Sequence, residues 1–239
     1  ANLNEKKLNF TDFFNIDECG TVIQGGRMQY YKHNDQDGLL FTTGDNYADS
    51  PNGKSQKTNS IFGKVIFKAF NNSKYEIFSL GHRNPQGLFV ENDLILMTEH
   101  GPKGGDEINK IIFNKNYGWP IASYGDTYNS TDSYKYKKNH FDNGFEEPIY
   151  SFIPSIGISE IIKIPNEFSE KWIDNFIITS LFGRSIYRVK FDNNFNKLVY
   201  VEKIYIGQRI RDIKYMKKEN LILLALEEKG QIGILSSLN

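Results

Sequence analysis

Short apolar runs recur along the whole chain, and clusters of Gly, Asn, Asp, Ser or Lys separate them. Several runs alternate apolar with polar residues, as in Ser185–Phe191, which is the period of a half-buried strand. No stretch has the period of a long amphipathic helix, and residues 167–175 have room for one helical turn or a loop. The pattern therefore predicts many short β-strands joined by turns. The candidate strands are residues 39–43, 61–70, 94–98, 108–113, 158–164, 176–181, 186–191, 210–216 and 221–226.

Regular strand spacing without helices leaves a sandwich, a barrel or a propeller. Aromatic residues make up 14% of the chain, mostly Tyr and Phe, which also favours strands. A propeller fits best, because loops rich in functional residues separate the strand pairs. A blade of about 40–45 residues allows five or six blades at most. Long insertions at residues 101–105 and 125–147 reduce that number.

Charge and hydropathy exclude several classes of function. Lys plus Arg and Asp plus Glu both number 29, so no global basic field would attract nucleic acid. No apolar run approaches the roughly 18 residues of a membrane span. The single cysteine, Cys19, excludes an internal disulfide framework.

The stretch from residue 81 to residue 120 places Arg, Asn, His, Asp and Glu between glycines and prolines, as in GHRNPQGL, TEHGPKGGDEIN and NYGWP. Main-chain carbonyls and carboxylates in such loops suit calcium, although a loop of this kind is also ordinary turn chemistry. Arg83 and Asn84 suit a planar anion that carries carboxylates or quinone oxygens.

Two further positions allow alternatives. His100 is either a satisfied buried histidine or a site residue. Arg209 and Arg211 lie two apart in a strand-like run and so face the same side, where their like charges repel. Either an anionic ligand bridges them or they form salt bridges to Asp212 or Glu202. Tyr117 and Trp119 are expected to pack in the core.

These residues resemble the soluble PQQ-dependent sugar dehydrogenases, a family that includes glucose/sorbosone dehydrogenase and aldose sugar dehydrogenase and uses pyrroloquinoline quinone (PQQ). The matching segments are GGRM (25–28), TTGDN (42–46), GHRNPQG (81–87), EHGPKGGDEIN (99–109), NYGWP (116–120) and SYGDTY (123–128), with weaker matches at residues 179–192 and 209–212. The resemblance implies an all-β propeller of the six-bladed quinoprotein type. Family members carry further residues before the GGR segment, which implies an incomplete propeller, a single domain over residues 1–239 with about four to five blades.

The resemblance also implies a reaction and a location. The reaction is PQQ- and calcium-dependent oxidation of an aldose at its anomeric carbon to a lactone, by hydride transfer to the quinone. A separate acceptor would take the electrons, and a periplasmic or secreted location is expected. By the same resemblance Arg83 is catalytic. The PQQ-binding residues would be Arg83, Asn84, His100, Arg209 and Arg211, and the calcium ligands would be the carbonyls of Gly101 and Pro102, with Glu107 and Tyr117 at a second, structural calcium.

Two positions depart from the family pattern. The family's general base is a histidine four residues before the arginine of the GGR segment, and here that position is Ile23. A lysine that contacts the cofactor in many relatives is replaced by Phe182. Loss of a general base typically costs about 10²–10⁴-fold in rate. These departures favour an alternative, a non-catalytic propeller that binds calcium or a sugar.

Overall fold

The computed structural model describes residues 2–4, 7–20, 22–46, 53–129 and 134–237, and their secondary structure is almost entirely β. The strands are β1 (Asn2–Asn4), β2 (Lys7–Asn9), β3 (Gly25–His33), β4 (Gln36–Thr43), β5 (Lys64–Ala69), β6 (Glu76–Leu80), β7 (Pro85–Glu91), β8 (Leu94–Glu99), β9 (Asp106–Lys110), β10 (Lys115–Asn116), β11 (Tyr150–Phe152), β12 (Ile158–Lys163), β13 (Phe176–Ser180), β14 (Ser185–Phe191), β15 (Leu198–Tyr205), β16 (Ile210–Met216), β17 (Leu221–Leu226) and β18 (Gln231–Ser236). Short 3-10 helices lie at Phe141–Asn143 and Glu170–Trp172.

The described part of the chain forms four propeller blades and a small β1–β2 hairpin. Blade I has the order β3-β4-β5-β6, with the short β10 added parallel to β6. Blade II is β7-β8-β9-β11, blade III is β12-β13-β14-β15, and blade IV is β16-β17-β18. Apart from β10 all pairs are antiparallel, and the register is seen in blade III, where Arg188 lies opposite Glu202. The predicted all-β propeller with about four to five blades is confirmed.

The innermost strands of the four blades are β3, β7, β12 and β16, which contact one another around the propeller axis. Buried side chains fill the spaces between successive blades. One cluster joins blades I and II around Val65 and Leu88, the next joins II and III around Leu96 and Ile161, and the third joins III and IV. Strand β5, in the middle of blade I, is buried along its whole length, because both of its faces are covered.

The antiparallel order brings two sets of loops to the same end of every blade. These are the segments that precede the innermost strands and the turns β4–β5, β8–β9, β13–β14 and β17–β18. The regular geometry of a propeller thus brings together, on one face, segments that are distant in sequence. No helix in the described ranges is long and apolar enough to cross a membrane.

Candidate functional site

The glycine- and proline-rich loops singled out from the sequence lie on this face. Residues 81–84 precede β7, residues 100–105 join β8 to β9, and residues 206–209 precede β16. Their ends are anchored by the strands, so side chains at these positions are held by rigid elements. The segments therefore converge although more than a hundred residues separate the first from the last.

A relay of hydrogen bonds joins three of the predicted cofactor residues. Nη1 of Arg211 donates to Oε1 of Gln86 at 3.2 Å, and Nε2 of Gln86 donates to Oδ1 of Asn84 at 2.9 Å. Nδ2 of Asn84 then lies 3.3 Å from Nδ1 of His100. Because a guanidinium has only donors, it fixes the orientation of both amides and makes Nδ1 of His100 the acceptor.

His100 is therefore a neutral pocket residue with a defined tautomer. Burial lowers its pKa, against the opposing effect of the Asp106 carboxylate. Since Nδ1 accepts from Asn84, the imidazole proton resides on Nε2, which is buried. This imidazole cannot readily replace a missing general base, because Nδ1 already accepts a hydrogen bond and Nε2 already carries a proton.

Arg83 is buried at the centre of the face, with 6% of its surface exposed. Its Nη1 donates to the carbonyl of His100 at 3.2 Å, and its guanidinium carbon lies 5.2 Å from the ring centroid of Trp119. Its main-chain N–H donates to Glu99 Oε2 at 2.7 Å, and its carbonyl accepts from Asp45 N–H at 2.8 Å. Both the backbone and the head group of Arg83 are thus fixed before any ligand binds.

Trp119 packs in the core as predicted and forms the floor under Arg83. Its Nε1 donates to Oδ2 of Asp45 at 2.7 Å, and burial raises the pKa of Asp45 to about 6. Lys64 is buried nearby, where its Nζ donates to the carbonyls of Ser55 at 2.8 Å and Phe62 at 2.6 Å. Burial lowers the pKa of Lys64 to about 8.

Arg209 and Arg211 share one carboxylate, that of Glu227. Nη2 of Arg211 lies 2.9 Å from Glu227, and Nη2 of Arg209 lies 3.7 Å from it. The two arginines do face the same side, but the partners expected from the sequence are wrong. Asp212 pairs with Arg27 across the axis, whereas Glu202 pairs with an arginine of its own sheet. Glu227 follows β17, which the antiparallel pairing places beside the start of β16.

The guanidinium of Arg27, on the innermost strand of blade I, contacts the innermost strands of the other three blades. It belongs to β3 and donates to the carbonyl of Gln86 on β7 and to the carbonyl of Arg211 on β16. Its Nη1 lies 2.8 Å from Glu160 on β12 and 2.9 Å from Asp212. Burial raises the pKa of Glu160 to about 7, although Arg27 opposes the shift. Arg27 therefore ties the blades together at the axis, next to the backbone of Gln86 and Arg211.

The residues expected to bind calcium through main-chain oxygens lie in a tightly packed glycine loop. A Cβ added at Gly101 would lie 2.2 Å from the carbonyl oxygen of Gly105 and 2.4 Å from that of Gly104, so main-chain oxygens crowd this turn. Pro102 is buried against Gly125. Such a cluster of carbonyl oxygens is the donor set that a hard cation prefers, and the loop fits calcium.

Two carboxylates are buried side by side below this loop. Nδ2 of Asn109 donates to Glu99 at 2.9 Å and to Glu107 at 3.3 Å. Burial, reinforced by the negative charge of Glu99, raises the pKa of Glu107 well above its ordinary value. Nε2 of His140 lies 3.6 Å from Glu107, and burial lowers the pKa of His140. A bound cation would favour the ionised form of Glu107 beside Glu99.

A narrow cavity opens onto this group, with room for about one water molecule or ion. It is lined by Gly81, Arg83, Glu99, His100, Gly101, Gly105, Glu107, Tyr117, Trp119, Ala122, Ser123 and His140. Tyr117 packs in the core, where its hydroxyl donates to Lys110 O at 2.5 Å and accepts from Ile112 N–H at 2.9 Å. Its hydroxyl is therefore committed, and only its carbonyl fits a metal.

No group of three or more His, Cys, Asp or Glu side chains in the described ranges is placed to hold a metal ion. A calcium site in this part of the molecule would consequently depend on main-chain carbonyls. The four predicted metal positions are close together in sequence and structure, with Gly101, Glu107 and Tyr117 around one cavity and Pro102 beside it.

The two departures from the family pattern both lie on the site face. Ile23 has a φ of 51°, an outlier for a β-branched residue, and it packs against Gly44, which precedes Asp45. Phe182, in the turn between β13 and β14, is 75% exposed. Neither side chain can take up a proton or donate to an anion.

Sequence reasoning missed several residues that organise the site: Arg27, Gln86, Asp106 and Glu227. Arg27, Gln86 and Asp106 lie in the segments GGRM, GHRNPQG and EHGPKGGDEIN, so a signal existed without an assigned role. Glu227 had no local signal, because it lies in an ordinary polar turn after an apolar strand.

Comparison with known proteins identifies relatives of this chain in sequence and in structure. The sequence profile described as Glucose / Sorbosone dehydrogenase matches residues 5–234. Aldose sugar dehydrogenase YliI of Escherichia coli (strain K12) is 31% identical over 164 residues, which are 67% of this chain and 43% of that protein. Quinoprotein glucose dehydrogenase B of Acinetobacter calcoaceticus is 31% identical over 148 residues, 58% of this chain and 27% of that protein. The chain spans less than half the length of these curated relatives.

Solved structures share the blade arrangement. A crystal structure of glucose dehydrogenase superposes with a TM-score of 0.73 at 27% identity, covering 84% of this chain and 61% of that one. The soluble aldose sugar dehydrogenase of Escherichia coli in its apo-form gives 0.74 at 24% identity, covering 89% and 64%. The PQQ-bound aldose sugar dehydrogenase of Streptomyces coelicolor gives 0.61 at 22% identity, covering 90% and 62%. The last two likenesses support the fold alone.

Proposed function

The chain belongs to the glucose/sorbosone dehydrogenase family, and we propose that it serves the PQQ- and calcium-dependent oxidation of an aldose at its anomeric carbon to a lactone. The observation that carries the proposal is the relay from Arg211 through Gln86 and Asn84 to His100, with Arg83 beside it. Arg211 and Gln86 are 125 residues apart in sequence. Their convergence puts anion-binding donors next to a loop rich in carbonyl oxygens.

When bound, PQQ supplies a quinone carbonyl that accepts a hydride, and calcium polarises that carbonyl. The residues of this chain bind and orient. Arg83 is held between the Trp119 ring and the His100 carbonyl, so its guanidinium charge is preorganised to stabilise developing negative charge. Arg209 and Arg211 present forked donors suited to the cofactor's carboxylates.

The carbonyls of Gly101 and Pro102 would hold the calcium at the cofactor. Glu107, with the carbonyl of Tyr117, would hold a second, structural ion. The burial of Glu107 beside Glu99, at the edge of the cavity, supports this second assignment, because a cation would let the buried carboxylate ionise. Metal binding at Glu107 should then release a proton.

Electrons from the sugar would pass to a separate acceptor, as the family resemblance implies. The sugar's hydroxyl proton needs an acceptor too, and the position of the family's base is Ile23. This observation favours a second candidate, a propeller that binds calcium or a sugar without turnover. A periplasmic or secreted location is part of the proposal, by the family resemblance alone.

The test is reconstitution of the purified chain with calcium and PQQ. Calorimetry should show binding of PQQ that depends on calcium, and an artificial electron acceptor should be reduced when aldoses are added. Binding without turnover would select the non-catalytic candidate. Absence of both PQQ binding and turnover would refute the dehydrogenase function and favour the non-catalytic candidate, which calorimetry with calcium alone and with aldoses alone then tests.

Ile23→His separates the two candidates. Histidine tolerates the left-handed backbone at this position better than isoleucine, and it places an imidazole beside the segment that carries Asp45. We expect turnover to rise by about 10²–10⁴-fold. Ile23→Asn is the matched control, since asparagine also tolerates this backbone but is no base. An Ile23→His variant that binds PQQ yet turns over no faster than the Asn control would contradict the assignment of the base position.

A further inference from the structure

Asp106 joins two loops of the site face that belong to different blades. It is the first residue of β9, directly after the glycine loop, and only 1% of its surface is exposed. The loop that precedes β12 in blade III packs against it. Nothing in the sequence places these two segments together, since about fifty residues separate them.

In the described structure both carboxylate oxygens of Asp106 accept two hydrogen bonds. Oδ1 accepts from Gly101 N–H at 3.1 Å and from the Ser155 hydroxyl at 2.9 Å. Oδ2 accepts from the N–H groups of Ile156 and Ile158, each at 3.0 Å. A buried carboxylate with this many donors has one orientation and holds its partners firmly.

The bond to Gly101 matters for the direction of the loop carbonyls. Gly101 N–H and the carbonyl of His100 belong to one planar peptide group. Asp106 holds the N–H side of this plane, and Nη1 of Arg83 holds the carbonyl side at 3.2 Å. The plane before Gly101 is therefore clamped from both edges, which limits the directions open to the carbonyl of Gly101 itself.

We propose that Asp106 is a positioning residue that aims the Gly101 carbonyl at the cation and couples the loop of residues 100–105 to blade III. The inference rests on the proposed function, in which that carbonyl binds calcium. Glycine has a wide choice of backbone angles, so an unclamped loop would spread its carbonyls over many directions. Groups that orient metal ligands typically contribute about 10–100-fold to metal affinity.

Asp106→Asn tests the proposal with little change of shape. The single amide oxygen is expected to stay with the N–H groups of Ile156 and Ile158, which turns the NH₂ group toward Gly101. The Ser155 hydroxyl can rotate to accept from this NH₂, but Gly101 N–H cannot. Ser155→Ala is the matched control, because it removes one bond of Asp106 and leaves Gly101 N–H paired.

Calcium affinity is measured by calorimetry on the full chain, with thermal unfolding of each variant alongside. We expect Asp106→Asn to weaken calcium binding about 10–100-fold and Ser155→Ala to leave it within about threefold of the parent. Luminescence lifetimes of bound terbium in H₂O and D₂O give a second readout. The Asp106→Asn site should hold about one more water than the parent, because one protein oxygen no longer points at the ion.

The outcomes separate the two proposals. If the parent chain binds no calcium, the proposed function fails and the inference fails with it. If the parent binds and Asp106→Asn binds equally well with unchanged hydration, the inference alone is overturned. Should Asp106→Asn be unfolded without calcium, recovery of its circular dichroism is titrated. Recovery at calcium levels about 10–100-fold above the parent's midpoint supports the inference, and no recovery at any level overturns it.

Discussion

Replacement of Arg27 by methionine should destabilise the chain in a strongly pH-dependent way. Arg27 neutralises Glu160, which is only 8% exposed, and it also donates to two main-chain carbonyls. Removing one partner of a buried ion pair costs about 3–5 kcal/mol when the remaining charge stays uncompensated, and less when that group can take up a proton, as a buried carboxyl does. The lost bonds to carbonyls cost about 1 kcal/mol each. Asp212 is half exposed and adds little.

The sign of the pH effect follows from the raised pKa of Glu160, about 7 in the folded chain. A carboxyl whose pKa rises on folding contributes full stability below its unfolded pKa and loses it as the pH rises through the folded value. Arg27 opposes this rise, so its removal pushes the pKa of Glu160 higher still. At pH 5 Glu160 is protonated in both folded chains, and Arg27→Met should cost only about 1–2 kcal/mol. At pH 8 the cost should be about 1.4 kcal/mol larger, about 2–4 kcal/mol in all, because Glu160 of the parent ionises near pH 7 whereas Glu160 of the variant stays protonated.

Urea unfolding followed by tryptophan fluorescence at pH 5 and pH 8 measures both values. The double variant Arg27→Met/Glu160→Gln provides the control, because a neutral amide needs no counter-charge. It should regain the pH-dependent part of the loss, so that its deficit relative to Glu160→Gln alone is the same at pH 5 and at pH 8. Equal deficits of Arg27→Met at both pH values, or a double variant no more stable than Arg27→Met at pH 8, would refute the reasoning.

Two more substitutions test the binding face. Gly101→Ala would bring a Cβ within 2.2 Å of the Gly105 carbonyl oxygen, so the carbonyls of this loop must move apart. Calcium affinity measured by calorimetry should therefore fall more than about tenfold. An unchanged affinity would show that this loop does not bind the ion. Glu227→Gln removes the negative charge shared by Arg209 and Arg211, so PQQ should bind up to about fivefold more tightly at low salt. Glu228→Gln, which affects a different arginine, is its control, and weaker PQQ binding by Glu227→Gln would count against the anion site.

Local patterns were sufficient for the strands with strong apolar runs. Residues 210–216 and 221–226 were located with both ends correct as β16 and β17. Residues 167–175, for which the pattern allowed one helical turn or a loop, contain the 3-10 helix Glu170–Trp172. The candidate at residues 61–70 starts later, at Lys64, because the residues before it form a loop in which Ile61 N–H donates to Glu18 at 3.1 Å and Gly63 N–H donates to the carbonyl of Gly44 at 2.9 Å.

Strands β3, β15 and β18 are among those that the apolar pattern did not predict, because their sequences contain many polar or exposed residues. β3 carries GGRMQYYKH at the propeller axis, where Arg27 replaces an apolar side chain. β15 and β18 are the outer strands of blades III and IV, and they alternate exposed with half-buried residues. Their strand conformation comes from pairing with a neighbour and not from an apolar run of their own.

The sequence by itself determined the strand periodicity, the glycine loop, and the spacing that turns Arg209 and Arg211 to one side, since each depends on backbone geometry within a few residues. Only the tertiary structure decided that Glu227 lies between those arginines and that Gln86 links Arg211 to the centre of the face. Blade order and twist bring these side chains together from distant parts of the chain. No local pattern encodes such a meeting, because it depends on how complete blades pack around their common axis.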